Sequence, residues 1–201
     1  ALMQGLADGY FVLPYTIQNY LADQITVPRF STELPEFAEA EKAVQARIDH
    51  LMGIKGKESV DSIHKKLGHI MWEYVGMGRT EEGLKTALKL LKEIRQEFET
   101  NLFIPGSTEG VNIELEKALR LNDFITMGEL IAYDALNRNE SCGGHFREEY
   151  QTEEGEAKRD DENYFYVSCW EYQGSDDVAP VLYKEPLVYE AIKVQTRNYK
   201  S

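Results

Sequence analysis

Apolar residues at Phe37, Ala40, Val44, Ile48, Leu51 and Met52 recur every three or four positions and stop at Gly53, which predicts an amphipathic helix with one buried face. Ser59 is placed to cap a second helix, whose stripe runs through Ile63, Leu67, Ile70, Met71, Tyr74 and Val75 and ends at Gly76 and Gly78. Thr80 opens a third, striped by Leu84, Leu88, Leu91, Ile94, Phe98 and Leu102 and broken at Ile104-Pro105-Gly106. A fourth is predicted from about Asn112 to Asn137, with Leu115, Leu119, Ile125, Met127, Leu130 and Ile131 on its apolar face. Long striped helices with short connections favour an antiparallel bundle.

The pattern differs at both ends. Residues 1–22 are mostly apolar, with Gly5, Gly9 and the single charge Asp8, whereas a solvent-facing helix is half polar. This stretch is read as mostly helical, kinked or broken near Leu13 by Pro14, and in need of cover from another surface. A Pro-bounded connector follows over Thr26–Pro35. From Asn139 the chain turns polar and Gly-bearing, and then Tyr164–Trp170 reads as an aromatic strand. A turn at Gln173–Asp177 and a second extended run at Val181–Tyr183 predict a hairpin, with a tail over Val188–Lys200 that reads as strand or short helix. The fold class expected is mainly α: an antiparallel bundle of about four long helices with a small C-terminal β element.

Composition narrows the functional classes. With 42% hydrophobic and 28% charged residues in 201 positions the chain is ordinary for a soluble globular protein, and no run reaches the 18 or so apolar residues of a membrane helix. The net charge of −13 repels phosphate backbones, so no nucleic-acid partner is expected. Cys142 and Cys169 fit neither a zinc motif nor a disulfide framework, which favours a reducing compartment. The chain opens without Met, basic n-region or cleavage pattern and is expected to continue a longer polypeptide.

Candidate chemistry is sparse. His64 and His69 are five apart on a helix, an offset that turns them to different sides and makes no paired metal site; His50 is read as a solvated edge. The dense cluster is Glu140-Ser141-Cys142-Gly143-Gly144-His145-Phe146-Arg147-Glu148-Glu149. A Cys–His pair three residues apart evokes a thiol nucleophile, but no orienting Asp or Asn precedes it, so a docking or structural loop is preferred. Asp160-Asp161-Glu162 after Arg159 lacks the EF-hand spacing and reads as an Arg-paired turn. Met71-Trp72-Glu73-Tyr74 keeps helical spacing and is read as bundle core with a Trp edge.

Three segments occurring in order, Met71-Trp72-Glu73-Tyr74-Val75-Gly76-Met77-Gly78-Arg79-Thr80, Glu140-Ser141-Cys142-Gly143-Gly144-His145 and Arg159-Asp160-Asp161-Glu162-Asn163, carry a resemblance. The chain resembles the C-terminal domain of the succinate dehydrogenase/fumarate reductase flavoprotein subunit. Cys142 stands where the family has Arg and Gly144 where it has Ala. The resemblance implies that residues 1–30 are the closing helix and connector of a flavin-binding domain, 31–138 a helical bundle and 139–201 a loop-rich segment with hairpin and tail. It implies FAD in the parent, met by the helix start at Ala1 and Leu2, with Ala1 in place of the family Ser. It implies no catalytic residue in this chain, whose substrate-handling groups would lie upstream; the spacing of the His, Cys and acidic residues leads to no expected metal. Trp72, Arg79, Glu140, Ser141, His145, Arg147, Arg159, Asp160 and Asp161 would be interface or structural residues. The implied partners are the flavin-binding and capping domains of the parent, an iron–sulfur subunit and a cytochrome b anchor. The implied location is the cytoplasmic face of the inner membrane. L-Aspartate oxidase shares the first two motifs and is the alternative parent; a free-standing acidic helical scaffold is the alternative class.

Overall fold

A computed structural model describes residues 2–174 and 178–195, in two compact units, Ala1–Arg47 and Ile48–Ser201. In the first unit α1 (Leu2–Ala7), a π-helical turn (Asp8–Val12) and α2 (Leu13–Tyr20) follow one another, then a 3-10 turn at Ala22–Gln24. Pro14 does not break this run. Leu13 N–H reaches back to the Asp8 carbonyl, a widened turn, and Pro14 falls in the first turn of α2 where its missing N–H matters least. Every described residue of this unit is exposed or half-exposed, including Leu2, Met3, Tyr10, Phe11 and Tyr20.

In the second unit the two predicted caps, Ser59 and Thr80, are in place, and Asn112, expected only as the approximate start of its helix, acts as a third. Helix α4 (Val60–Val75) starts where the Ser62 N–H donates to Ser59 Oγ at 3.2 Å. Helix α5 (Glu81–Asn101) starts at Thr80, whose Oγ1 accepts from Gly83 N–H, and α6 (Ile113–Asn137) at Asn112, whose Oδ1 accepts from Leu115 N–H. Each cap satisfies a donor that the helix leaves free. The end of α3 (Pro35–Gly53) adds Ile48, Leu51 and Met52 to a core built on Ile63, Leu67, Leu84, Leu91, Phe98, Leu121 and Ile125.

Contacts at the helix ends fix the directions. The start of α4 meets the end of α5 through the Glu58↔Leu102 bridge, so these two run antiparallel. Lys117 of α6 reaches Asp61 of α4 at 3.2 Å, so α6 starts where α4 starts and opposes α5. At the first of these junctions a Cβ on Gly56 would meet the Asn101 carbonyl group at 2.0 Å, so only glycine allows the chains to approach. Gly128 also lies at a close approach between helices: a Cβ there would sit 3.1 Å from Met71 Sδ, a tight contact that the Met71 side chain would have to yield to.

Three expectations about burial are corrected: Phe37, Ala40 and Val44 of α3 are exposed, and only the end of that helix packs. On α6 the predicted positions Met127, Leu130 and Ile131 are exposed, and the face that packs is Leu115, Ala118, Leu121, Ile125, Gly128, Ala132 and Ala135. In the second half of α6 the small residues Gly128, Ala132 and Ala135 lie inside and the large ones outside, because α6 approaches α4 and α5 closely there. Trp72 is not a core edge: it is 81% exposed.

After α6 the chain makes a compact loop, one turn of helix α7 (Asp161–Tyr164), and the antiparallel pair β1 (Tyr166–Glu171) and β2 (Val181–Pro186), with Cys169 opposite Tyr183. The strand starts two residues later than predicted because Tyr164 closes α7, which Asp160 caps through the Asn163 N–H. The tail from Leu187 to Gln195 is neither strand nor helix; residues 175–177 of the hairpin turn and 196–201 lie outside the described residues. No helix among the described residues is long and apolar enough to cross a membrane.

Candidate functional site

A layer of arginines closes the end of the bundle where α4 and α6 finish. Arg79, one residue before the Thr80 cap, donates from Nε to the Val75 and Gly76 carbonyls at 3.1 and 3.2 Å. Arg147, fully buried, donates from Nη1 to the Ala135 and Leu136 carbonyls at 3.0 and 3.4 Å. Both guanidinium groups thus satisfy the last carbonyls of a helix, where a cation also suits the helix dipole. Arg147 Nε reaches Glu149 at 3.1 Å, and Glu149 accepts from the Glu81 N–H at 2.5 Å, so the same ion pair touches the start of α5. Burial pushes the Glu149 carboxyl up, but the Glu81 N–H, its own N–H and Arg147 together hold it below the usual value.

The loop is held by its own backbone. Cys142 and His145 exchange backbone hydrogen bonds at 2.8 and 3.0 Å around Gly143, whose φ is +59°. Buried Ser141 accepts the Arg147 N–H at 2.8 Å and donates to the Arg147 carbonyl at 3.1 Å. The Arg79 N–H donates to the Phe146 carbonyl and the Glu148 N–H to the Arg79 carbonyl, which sews the α4–α5 connection to the loop.

Glu140 is 3% exposed, and both its oxygens are used: Oε1 takes Arg138 Nη1 at 2.8 Å and Oε2 takes the Asp160 N–H at 2.9 Å. Arg138 also donates to the Tyr164 and Tyr166 carbonyls and lies over both rings. It joins the end of α6 to the hairpin, as does the Trp170 indole, which donates to Asp134 at 2.8 Å. Arg159 forks onto Asp161 and donates to the Gln195 carbonyl at 3.1 Å.

His145 completes the layer. Its Nδ1 lies 2.9 Å from Arg79 Nη1 and its Nε2 2.9 Å from the Arg138 carbonyl. A guanidinium only donates and a carbonyl only accepts, so the ring is neutral with its proton on Nε2. Burial lowers its pKa, and Arg79, Arg147 and Arg138 lower it further, against the pull of the Arg138 carbonyl.

Of the residues singled out in the sequence, Arg79, Glu140, Ser141, His145 and Arg147 meet in this layer, and Asp160 adjoins it through Glu140. Arg159 and Asp161 pair on the way to the tail. Trp72 lies apart, exposed; Leu2 is 82% exposed at the start of α1, and Ala1 lies outside the described residues. Arg138 and Asp134 join the layer only in the structure, as do the roles of Glu149 and Trp170. Arg138 carries a local signal, a cation directly after the predicted end of a helix; the others are joined only by the fold. The arrangement leaves its charged groups engaged with one another and offers no nucleophile with a base. Cys142 has its thiol pushed up, by burial first and then by Glu140. No group of three or more His, Cys, Asp or Glu among the described residues is placed to hold a metal.

The sequence profile described as "Fumarate reductase flavoprotein C-term" matches residues 64–199. The chain belongs to this family. The fumarate reductase flavoprotein subunit of Proteus vulgaris is 30% identical over 148 residues, covering 72% of this chain and 24% of that protein. An L-aspartate oxidase of Nicotiana tabacum is 37% identical over 88 residues, 44% of this chain and 13% of that protein. A solved quinol fumarate reductase of E. coli shares the fold, with TM-score 0.66 and 22% identity over 85% of this chain and 28% of its own. The chain therefore spans about a quarter of the fumarate reductase flavoproteins it is similar to. The arginine layer falls within the matched stretch.

Proposed function

We propose that this chain is the C-terminal domain of a flavoprotein subunit that interconverts succinate and fumarate, and that it is structural and interface-forming, not catalytic by itself. The observation that carries this reading is the engagement of the polar cluster with itself: Arg79, Arg138, Arg147, Glu140 and His145 spend their hydrogen bonds on helix ends, hairpin and loop. A site built to hold a dicarboxylate would keep guanidinium donors aimed at open space. When bound, FAD supplies hydride transfer to and from the substrate carbon; the protein positions it.

The first unit supports a covered face in the parent. Leu2, Gly5, Leu6, Gly9 and Tyr10 line an open apolar hollow, and nothing lies within 4 Å of where a Cβ would sit on Gly5 or Gly9. Soluble proteins rarely leave such a surface bare. In this reading the flavin-binding and capping domains cover it, and Ala1 and Leu2 meet the flavin, Leu2 through the backbone N–H at the start of α1, which has no partner within the helix. The domain also helps to form the face that meets an iron–sulfur subunit, itself joined to a cytochrome b anchor at the cytoplasmic side of the inner membrane.

The fumarate reading is preferred to L-aspartate oxidase because similarity to the fumarate reductase subunit extends over 72% of the chain against 44%, and because Arg159 and Asp161 form a built contact to the tail at Gln195. Amide exchange of residues 2–25 in the isolated chain and in the FAD-loaded parent tests the covered face. Protection only in the parent is the expected result; equal exchange in both would overturn it.

A further inference from the structure

His145 is held by one group that only donates and one that only accepts, and that arrangement tolerates a single protonation state. We propose that His145 is an acid-sensitive latch: neutral, it ties the 142–147 loop to the ends of α4 and α6, and on taking a second ring proton it releases that loop.

Protonation at Nδ1 would set two N–H donors against each other across the 2.9 Å gap to Arg79. The charged groups around the ring add to the cost. Arg79 comes from the α4–α5 connection, Arg138 from the end of α6 and Arg147 from the loop itself, and all three act on His145 as cations. The nearby carboxylates are committed elsewhere: Glu140 to Arg138 and the Asp160 N–H, Glu149 to Arg147 and the Glu81 N–H, and Asp134 to Trp170. None hydrogen-bonds the ring, so an imidazolium would find no acceptor there except the Arg138 carbonyl already in use.

Release would be local. Arg79 keeps its bonds to the Val75 and Gly76 carbonyls when the ring leaves, so the end of α4 stays closed. What loosens is the Cys142–His145 turn and the Arg79 pairing with Phe146 and Glu148. Nothing lies within 4 Å of where a Cβ on Gly143 or Gly144 would sit, which leaves the turn room to swing. The sign follows from the lowered pKa: the fold favours the neutral ring, so the contribution is complete above the unfolded value of about 6.5 and is lost as pH falls below it, by up to tenfold in the equilibrium constant per pH unit until the folded value is reached.

The test uses the full 201-residue chain, with ring-nitrogen NMR and amide exchange followed from pH 8 to pH 5. The expected result is an Nε2–H ring at pH 8 that titrates below 6.5. As it does so, the protection factors of the Arg79, Cys142, His145 and Glu148 amides, each taken against the intrinsic exchange rate at that pH, should fall tenfold or more while that of Leu91 in α5 stays unchanged. His145→Gln, which can accept and donate but not titrate, should remove the pH dependence of the protection factors at those amides. Should that variant fail to fold, the wild-type ring still decides. An Nδ1–H ring, titration at or above 6.5, protection factors that ignore the titration, or a pH dependence of protection that survives in H145Q would each overturn the latch.

Discussion

Replacing Arg147 by Met keeps most of the buried stem and removes the guanidinium, so it isolates the polar part of the contact. Two carbonyls at the end of α6 lose their donor, Ala135 at 3.0 Å and Leu136 at 3.4 Å, and no further helical N–H can take over, because the Arg138 N–H already serves Asp134. A buried carbonyl left without a partner costs about 1–3 kcal/mol, and the longer contact is weak, so its share is at the low end. Glu149 loses a partner too, but its side chain is 39% exposed and water replaces the arginine at a cost of under about 1 kcal/mol. The sum is about 2–4 kcal/mol, a large part of the 5–15 kcal/mol typical of a domain. Arg147→Lys places one ammonium where a fork stood, which suffices for one carbonyl, and should cost about half as much. Urea unfolding followed by circular dichroism at pH 7 measures both. A loss below about 1 kcal/mol for R147M would refute the claim that Arg147 closes the end of α6.

Thr80→Ala removes the acceptor for the Gly83 N–H and should cost about 1 kcal/mol by the same unfolding measurement. Gly56→Ala drives a methyl into the Asn101 backbone at 2.0 Å; the connections before α4 and after α5 must separate, and the midpoint should fall by more than for T80A. Trp72→Ala, at a side chain 81% exposed, should leave the stability of this chain within about 0.5 kcal/mol. The same change should weaken assembly of the parent, read by gel filtration, if Trp72 serves an interface.

The helices were legible because each carries its information locally. Ser59 and Thr80 sit one residue before their helices, and a cap needs only its own first turn to act. The inner face of α6 was not legible in the same way. Large apolar residues at Met127, Leu130 and Ile131 outweigh Gly128, Ala132 and Ala135 in any periodicity, yet helix–helix distance decides which side packs, and that distance is a property of the neighbours. In the arginine layer Glu140, Ser141, His145 and Arg147 were visible as a dense run, but their partners were not. Nothing near Arg79 in the sequence points to His145, and nothing near Asp134 points to Trp170; each pair is made by chain reversal at the end of the bundle. Pro14 shows the reverse case, a strong local breaker that the backbone accommodates by widening one turn.

Dye-coupled succinate oxidation, run on the purified chain and on its full-length parent with L-aspartate as a parallel substrate, bears most directly on the domain assignment. The account predicts background rates for the isolated chain, and for the parent an FAD-dependent rate with succinate and none with aspartate. Oxidation of succinate by the isolated chain, or of aspartate by the parent, would contradict it.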